Sequence, residues 1–282
     1  MHSHHPIGVF DSGLGGLTVL REIRRRLPGE DLLYVADSAY APYGDKSMAF
    51  IESRSVAITE FLLERGAKAI VVACNTATGA AARLLRTRYS VPLIAMEPAV
   101  KPAVEHTRSG VVAVLATRQT LASHNFSVLL GRLETNAQVL LQPCPGLVER
   151  VEAGDLTGEG TRTLLRGYLE PLLARGADTL VLGCTHYPLL APLIQELAGP
   201  DVRILDSGMG VARQVHRRLS EAGLLAPEGR IGHERFWTSV HPARIQALMT
   251  QIWMGEVELA HWVESEIWDD RRLHGVLALE SS

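Results

Sequence analysis

The sequence predicts an α/β protein made of two similar halves, each built on a doubly wound, mostly parallel sheet, and three observations carry that expectation. Short, wholly apolar runs alternate with amphipathic stretches of helix length, the pattern of strands covered on both faces. Two of those runs, the one beginning at Ala69 and the one beginning at Thr179, stop at a cysteine that is followed closely by threonine: Cys74-Asn75-Thr76 and Cys184-Thr185-His186. A strand, an Asp-Ser-Gly turn and a helix are also written twice, at Asp11-Ser12-Gly13 and at Asp206-Ser207-Gly208. Ligands of open α/β sheets sit outside the carboxyl ends of the strands, where both cysteines fall. A site assembled from two facing half-sites is therefore expected.

The first element, Ile7 to Phe10, is a strand that runs into Asp11-Ser12-Gly13-Leu14-Gly15-Gly16, and Leu17, Leu20, Ile23 and Leu27 then recur at helical spacing. The glycines allow close approach to N–H groups at a helix start, which favours an anion, and Asp11 reads either as a base or ligand contact or as a helix cap. Leu32 to Val35 is a second strand, and the Pro42-Tyr43-Gly44 loop after it is a candidate pocket wall. A helix from Met48 to about Arg65 returns to the Cys74 strand. Val91 to Met96 starts another strand, and Glu97 to Pro102 reads as a connection between domains. Val111 to Leu115 is a strand, and the Thr117 and Thr120 after it either contact a ligand or cap a helix. Cys144 lacks a polar turn after it and reads as packing. A helix from about Gly160 to Arg175 precedes the Cys184 strand, Phe236 to Ser239 is a late strand, and Pro242 to Gly255 reads as a terminal helix. The stretch beyond Gly255, with Trp262, Trp268, Asp269 and Asp270, reads as an appended tail.

Composition narrows the function. A chain of 282 residues with 46% hydrophobic content suits two globular domains, at a prior of ~150 residues per domain. The formal charge of -3 gives no footprint for nucleic acid, and no apolar run is long enough to cross a membrane. The N-terminus lacks the apolar core of a secretory signal, so a cytoplasmic location with reduced thiols is expected. Cys74, Cys144 and Cys184 lack zinc-ligand spacing, and no metal site is expected. The histidines at 2, 4 and 5 are a native stub or a tag and stay outside the fold argument.

Four segments, FDSGLGGLTVL from Phe10, PYGDKS from Pro42, ACNTAT from Ala73 and LGCTHYPLL from Leu182, together resemble the cofactor-independent glutamate racemases within the aspartate/glutamate racemase group. Weaker matches at Leu115, Val151, Ile204 and Phe236 extend the resemblance over about residues 6 to 255. It implies a pseudo-symmetric pair of α/β domains with the active site in the cleft between them: 6–97 rejoined by 206–255, then 98–205, with 256–282 outside the match. It also implies Cys74 and Cys184 as catalytic acid/bases, Asp11 as the partner of Cys74, and His186 and Glu152 as partners of Cys184. Ser12, Tyr43, Gly44, Asn75, Thr76, Thr117, Thr120 and Thr185 are the implied substrate-binding positions, beside Asp11 and His186. No cofactor is implied; the substrate is a small molecule, glutamate, and the product serves peptidoglycan and hence cell shape. A homodimer stays open as an assembly. Ala36, Ala116 and Val240-His241 depart from the commonest family pattern without removing a chemical group from the proposed centre. The rivals are an aspartate racemase, a thiol oxidoreductase, disfavoured by the lack of a CxxC pair, and a non-catalytic binding protein on the same fold.

Overall fold

The computed structural model describes residues 2–263 of the chain. The first elements are β1 (Ile7–Asp11), α1 (Leu17–Arg26), β2 (Leu32–Ala36), α2 (Met48–Glu64), β3 (Ala69–Val72), α3 (Asn75–Arg88) and β4 (Leu93–Ala95). Next come α4 (Val100–His106), β5 (Val111–Ala116), α5 (Arg118–Ala122), α6 (His124–Gly131), β6 (Gln138–Pro143), α7 (Leu147–Glu152), α8 (Glu159–Ala174), β7 (Thr179–Leu182), α9 (Ala191–Ala198) and β8 (Arg203–Leu205). The described chain closes with α10 (Gly208–Glu221), β9 (Glu234–Thr238), α11 (Gln246–Trp253) and β10 (Leu259–His261).

The strands form two sheets, one of order β10-β9-β2-β1-β3-β4 and one of order β6-β5-β7-β8. Every pairing is parallel. The apolar runs read from the sequence are the central strands: every residue of β1, β3 and β7 is buried, because helices cover both faces of the sheet they belong to. On the larger sheet, α1, α10 and α11 pack one face and α2 and α3 the other. The chain leaves β1 for β2 on one side and reaches β3 on the other, so the strand order reverses between β1 and β3. It reverses in the same way between β5 and β7. Those two reversals open the crevices where parallel sheets hold ligands, and Cys74 and Cys184 emerge one at each.

The whole four-stranded sheet lies between β4 and α10. The chain therefore crosses between sheets twice, and the crossings are tied together where Ser207 Oγ donates to the Glu97 carbonyl at 2.7 Å.

Three local expectations are revised. The connection after Glu97 turns helical at Val100, since Pro102 falls in the first turn of α4, where its missing N–H is not needed. The expected terminal helix breaks into a short turn at Pro242–Arg244 and then α11, separated by Ile245 at φ -127. Beyond Gly255, β10 pairs with β9 and Trp262 is buried at 5% exposure. Trp268, Asp269 and Asp270 lie outside the described residues.

Candidate active site

Asp11 ends β1, and the turn after it must reverse the chain tightly before α1 begins. Its carboxylate Oδ2 accepts from the Gly13 N–H at 3.2 Å and from the Gly16 N–H at 2.9 Å, so it organises the turn from inside. Leu14 N–H donates at 2.6 Å to Glu152 Oε1, a group brought from the other sheet by α7. The anion that the glycine-rich turn was expected to hold is thus supplied by the protein's own Asp11 and Glu152. Gly15 N lies 3.3 Å from His186 Nε2, packed against that ring. Tyr34, a residue that sequence reasoning misses, lies fully buried beneath the turn and donates its hydroxyl to the Gly13 carbonyl at 2.7 Å. An apolar strand residue with a polar tip gives little sequence signal of such a role.

Cys74 caps the N-terminus of α3, its sulfur accepting from the Ala77 N–H at 3.4 Å, and its thiol points to Ser12 Oγ at 3.7 Å. Burial, reinforced by the negative charge of Asp11, pushes the Cys74 thiol well above its ordinary range. It is held as a protonated thiol. Burial also raises the Asp11 carboxyl, against the opposing pull of the His186 charge.

The second half-site differs. Cys184 Sγ lies 3.8 Å from His186 Nδ1, and His186 Nε2 lies 2.6 Å from Glu152 Oε1. Burial acts to strip the proton from His186, but its bonds to Cys184 and Glu152 outweigh that and hold the imidazole protonated well above the usual histidine range. Cys184 therefore faces a cation, whereas Cys74 faces a carboxyl group. The pair is chemically asymmetric.

One small pocket, about 260 Å³ including its mouth, is lined by both thiols together with Ser12, Tyr43, Gly44, Asn75, Thr76, Thr117, Thr185 and His186. Asp11, Glu152 and Thr120 stand behind that lining. Thr117 both caps α5, accepting from the Thr120 N–H at 3.1 Å, and faces the pocket, so its two sequence readings hold together. The Thr76 and Thr117 hydroxyls meet at 3.0 Å across the two sheets, with Thr120 within 3.2 Å of Thr76. Asn75 is 5% exposed, and its Oδ1 and Nδ2 have no hydrogen-bond partner. Burying an unpaired amide costs ~1–3 kcal/mol, which makes Asn75 a group awaiting a polar guest. Pro42 lines the pocket with Tyr43 and Gly44, as expected of that loop, and Val148 lines it too, carrying no chemical group that would single it out in the sequence. Cys144 is buried in the core of the four-stranded sheet's domain, packing as expected. Among the described residues no cluster of His, Cys, Asp and Glu has the form of a metal site, and no helix is long and apolar enough to cross a membrane.

Residues 7–215 match the family described as Asp/Glu/Hydantoin racemase. A glutamate racemase of Pseudomonas paraeruginosa is 58% identical over 249 residues, 88% of this chain and 94% of that protein. Among solved structures, a glutamate racemase isoform from Bacillus anthracis superposes with a TM-score of 0.84 at 34% identity, covering 93% of this chain and 98% of that one. The Escherichia coli glutamate racemase, in complex with L-glutamate and the activator UDP-MurNAc-Ala, superposes with a TM-score of 0.80 at 32% identity, covering 92% and 99%. With two parallel-sheet domains, a thiol at each strand-order reversal and these relatives, the chain belongs to the Asp/Glu/Hydantoin racemase family, among the glutamate racemases.

Proposed function

We propose that this protein interconverts L- and D-glutamate without a cofactor, by proton transfer at the α-carbon between Cys74 and Cys184. The observation that supports this most is a single pocket lined by two thiols, each with its own proton-handling group behind it. Inversion needs a base on one face of the α-carbon and an acid on the other, because one group alone returns the proton to the side it came from. Cys184, beside the His186 cation, serves as the thiolate that removes the α-proton in one direction. Cys74 donates its thiol proton to the opposite face. The protonated Cys184 and deprotonated Cys74 then run the reverse reaction with exchanged roles, Asp11 and the His186–Glu152 pair positioning or relaying protons.

The α-proton is far less acidic than a thiol, so the site must stabilise the carbanion it creates. Charge develops toward the α-carboxylate, and the Asn75 amide with the Ser12, Thr76, Thr117 and Thr185 hydroxyls supplies donors around the lining. D-glutamate made this way suits peptidoglycan synthesis in the cytoplasm. Polarimetry of purified protein with L-glutamate and no added cofactor is expected to show decay of optical rotation to zero. No decay would favour a non-catalytic protein, and faster decay with L-aspartate would reassign the substrate.

Asn75→Ala separates binding from folding. Removal of a buried, unpaired amide is expected to leave the melting temperature unchanged or higher, while KM rises about tenfold for the loss of one good hydrogen bond. A lower melting temperature with an unchanged KM would assign Asn75 to structure instead.

A further inference from the structure

Behind the pocket wall formed by Pro42, Tyr43 and Gly44, a buried polar chain runs to the end of β10. Tyr43 is 1% exposed and donates its hydroxyl to Asp37 Oδ2 at 2.6 Å. Asp37, fully buried just past β2, takes two further bonds from Arg54 of α2, Nε to Oδ2 and Nη2 to Oδ1, each at 2.9 Å. Its own N–H donates to the Asp11 carbonyl at 3.0 Å, so the carboxylate is fixed to the end of β1. The Arg54 guanidinium lies 4.3 Å over the Tyr40 ring and 4.9 Å over the Trp262 ring. Trp262 is held in turn by its backbone N–H, donating to the Thr238 carbonyl at 2.8 Å, and by Phe61, whose ring centroid is 5.6 Å away.

A buried ion pair is a poor source of net stability, since well-packed apolar residues often serve as well. What a bidentate fork adds is fixed geometry. Here that geometry ends on Tyr43 and Gly44, which face the two thiols. The outer side of the same loop is held by the other sheet, where Gln119 Nε2 donates to the Lys46 carbonyl at 3.0 Å. The loop is thus held from both halves, by the Ala39 N–H donating to Ser239 Oγ at 3.0 Å as well as by Asp37, and the Asp37 support reaches a residue beyond α11.

We propose that Asp37, Arg54 and Trp262 are positioning residues for the Tyr43–Gly44 wall, so that docking of β10 sets how tightly the pocket holds its amino acid. This rests on the racemase reading for the identity of the guest. Trp262 is not itself a lining residue of the pocket, and the polar route from it to the wall passes through the Arg54 ring contact to Asp37 and Tyr43.

The test compares Trp262→Ala, Trp262→Phe and Arg54→Lys with the unaltered protein, by steady-state kinetics in both directions and by hydrogen exchange without substrate. Trp262→Ala is expected to raise KM about tenfold with kcat kept within about threefold, the signature of lost binding rather than lost chemistry. Trp262→Phe keeps an aromatic face and restores KM. Arg54→Lys keeps the charge, loses the fork and repeats the KM effect. In Trp262→Ala, backbone amides of the 38–47 loop exchange faster while those of β1, β3 and β7 do not change. The exchange readout needs no turnover, so it tests the wall's support even if glutamate is not the substrate. A folded Trp262→Ala with unaltered KM and unaltered loop exchange would overturn the proposal, as would a loss confined to kcat. If Trp262→Ala does not fold, Arg54→Lys with unaltered KM and exchange overturns it equally.

Discussion

Cys74→Ala is expected to lower racemisation by at least ~10³-fold, within the range that a positioned acid or base contributes, while leaving exchange at the α-carbon of one enantiomer intact. Cys184, still opposed by the His186 cation, removes the α-proton from its own face and returns a solvent deuteron to the same face. Proton NMR in deuterium oxide, run separately on L- and D-glutamate, reads this as loss of the α-proton signal without inversion. Cys184→Ala is expected to exchange the other enantiomer, and more slowly. Its remaining thiol is the one that burial and the Asp11 charge hold protonated, so the thiolate needed as base is scarce. Near-normal racemisation by either variant would rule out the two-thiol mechanism, and equal exchange rates in the two would remove the asymmetry between the half-sites.

Gly15→Ala is expected to cost at least ~10²-fold in kcat/KM with the secondary structure unchanged, because displacing a catalytic constellation by about an ångström has that order of effect. A methyl group there would overlap the His186 ring and come 2.7 Å from the His186 backbone nitrogen. The backbone cannot swing aside, so the turn and the Cys184 half-site must separate. Gly13→Ala is a useful control. The new carbon would overlap the Glu152 carboxylate, the far end of a side chain that is 16% exposed and has room to move. It is expected to lose less activity. Circular dichroism beside initial rates checks both, and a Gly15→Ala enzyme of ordinary activity would show that the turn does not need to touch His186.

The central strands were legible because burial on both faces leaves an apolar run that nothing else in the chain imitates. The paired cysteines were legible for the same reason, each lying where such a run stops. Spacing does not reveal that the glycine-rich turn holds an internal carboxylate. Glu152 stands 138 residues from Leu14, and only the folded chain brings them to 2.6 Å. Asp37 and Arg54 gave no signal either, since a loop aspartate and a helix arginine usually face water. β10 was hidden because three residues, Leu259 to His261, form a strand only against the ready edge of β9. Trp262 was read with Trp268 as part of an appended tail, since its packing against Arg54 and Phe61 comes from residues about 200 positions away.

The double passage between the sheets has a mechanical consequence. Two lengths of backbone cross between the sheets joined at Glu97 and Ser207, so a strain on either crossing is shared with the other before it reaches the strands that carry the two sulfurs.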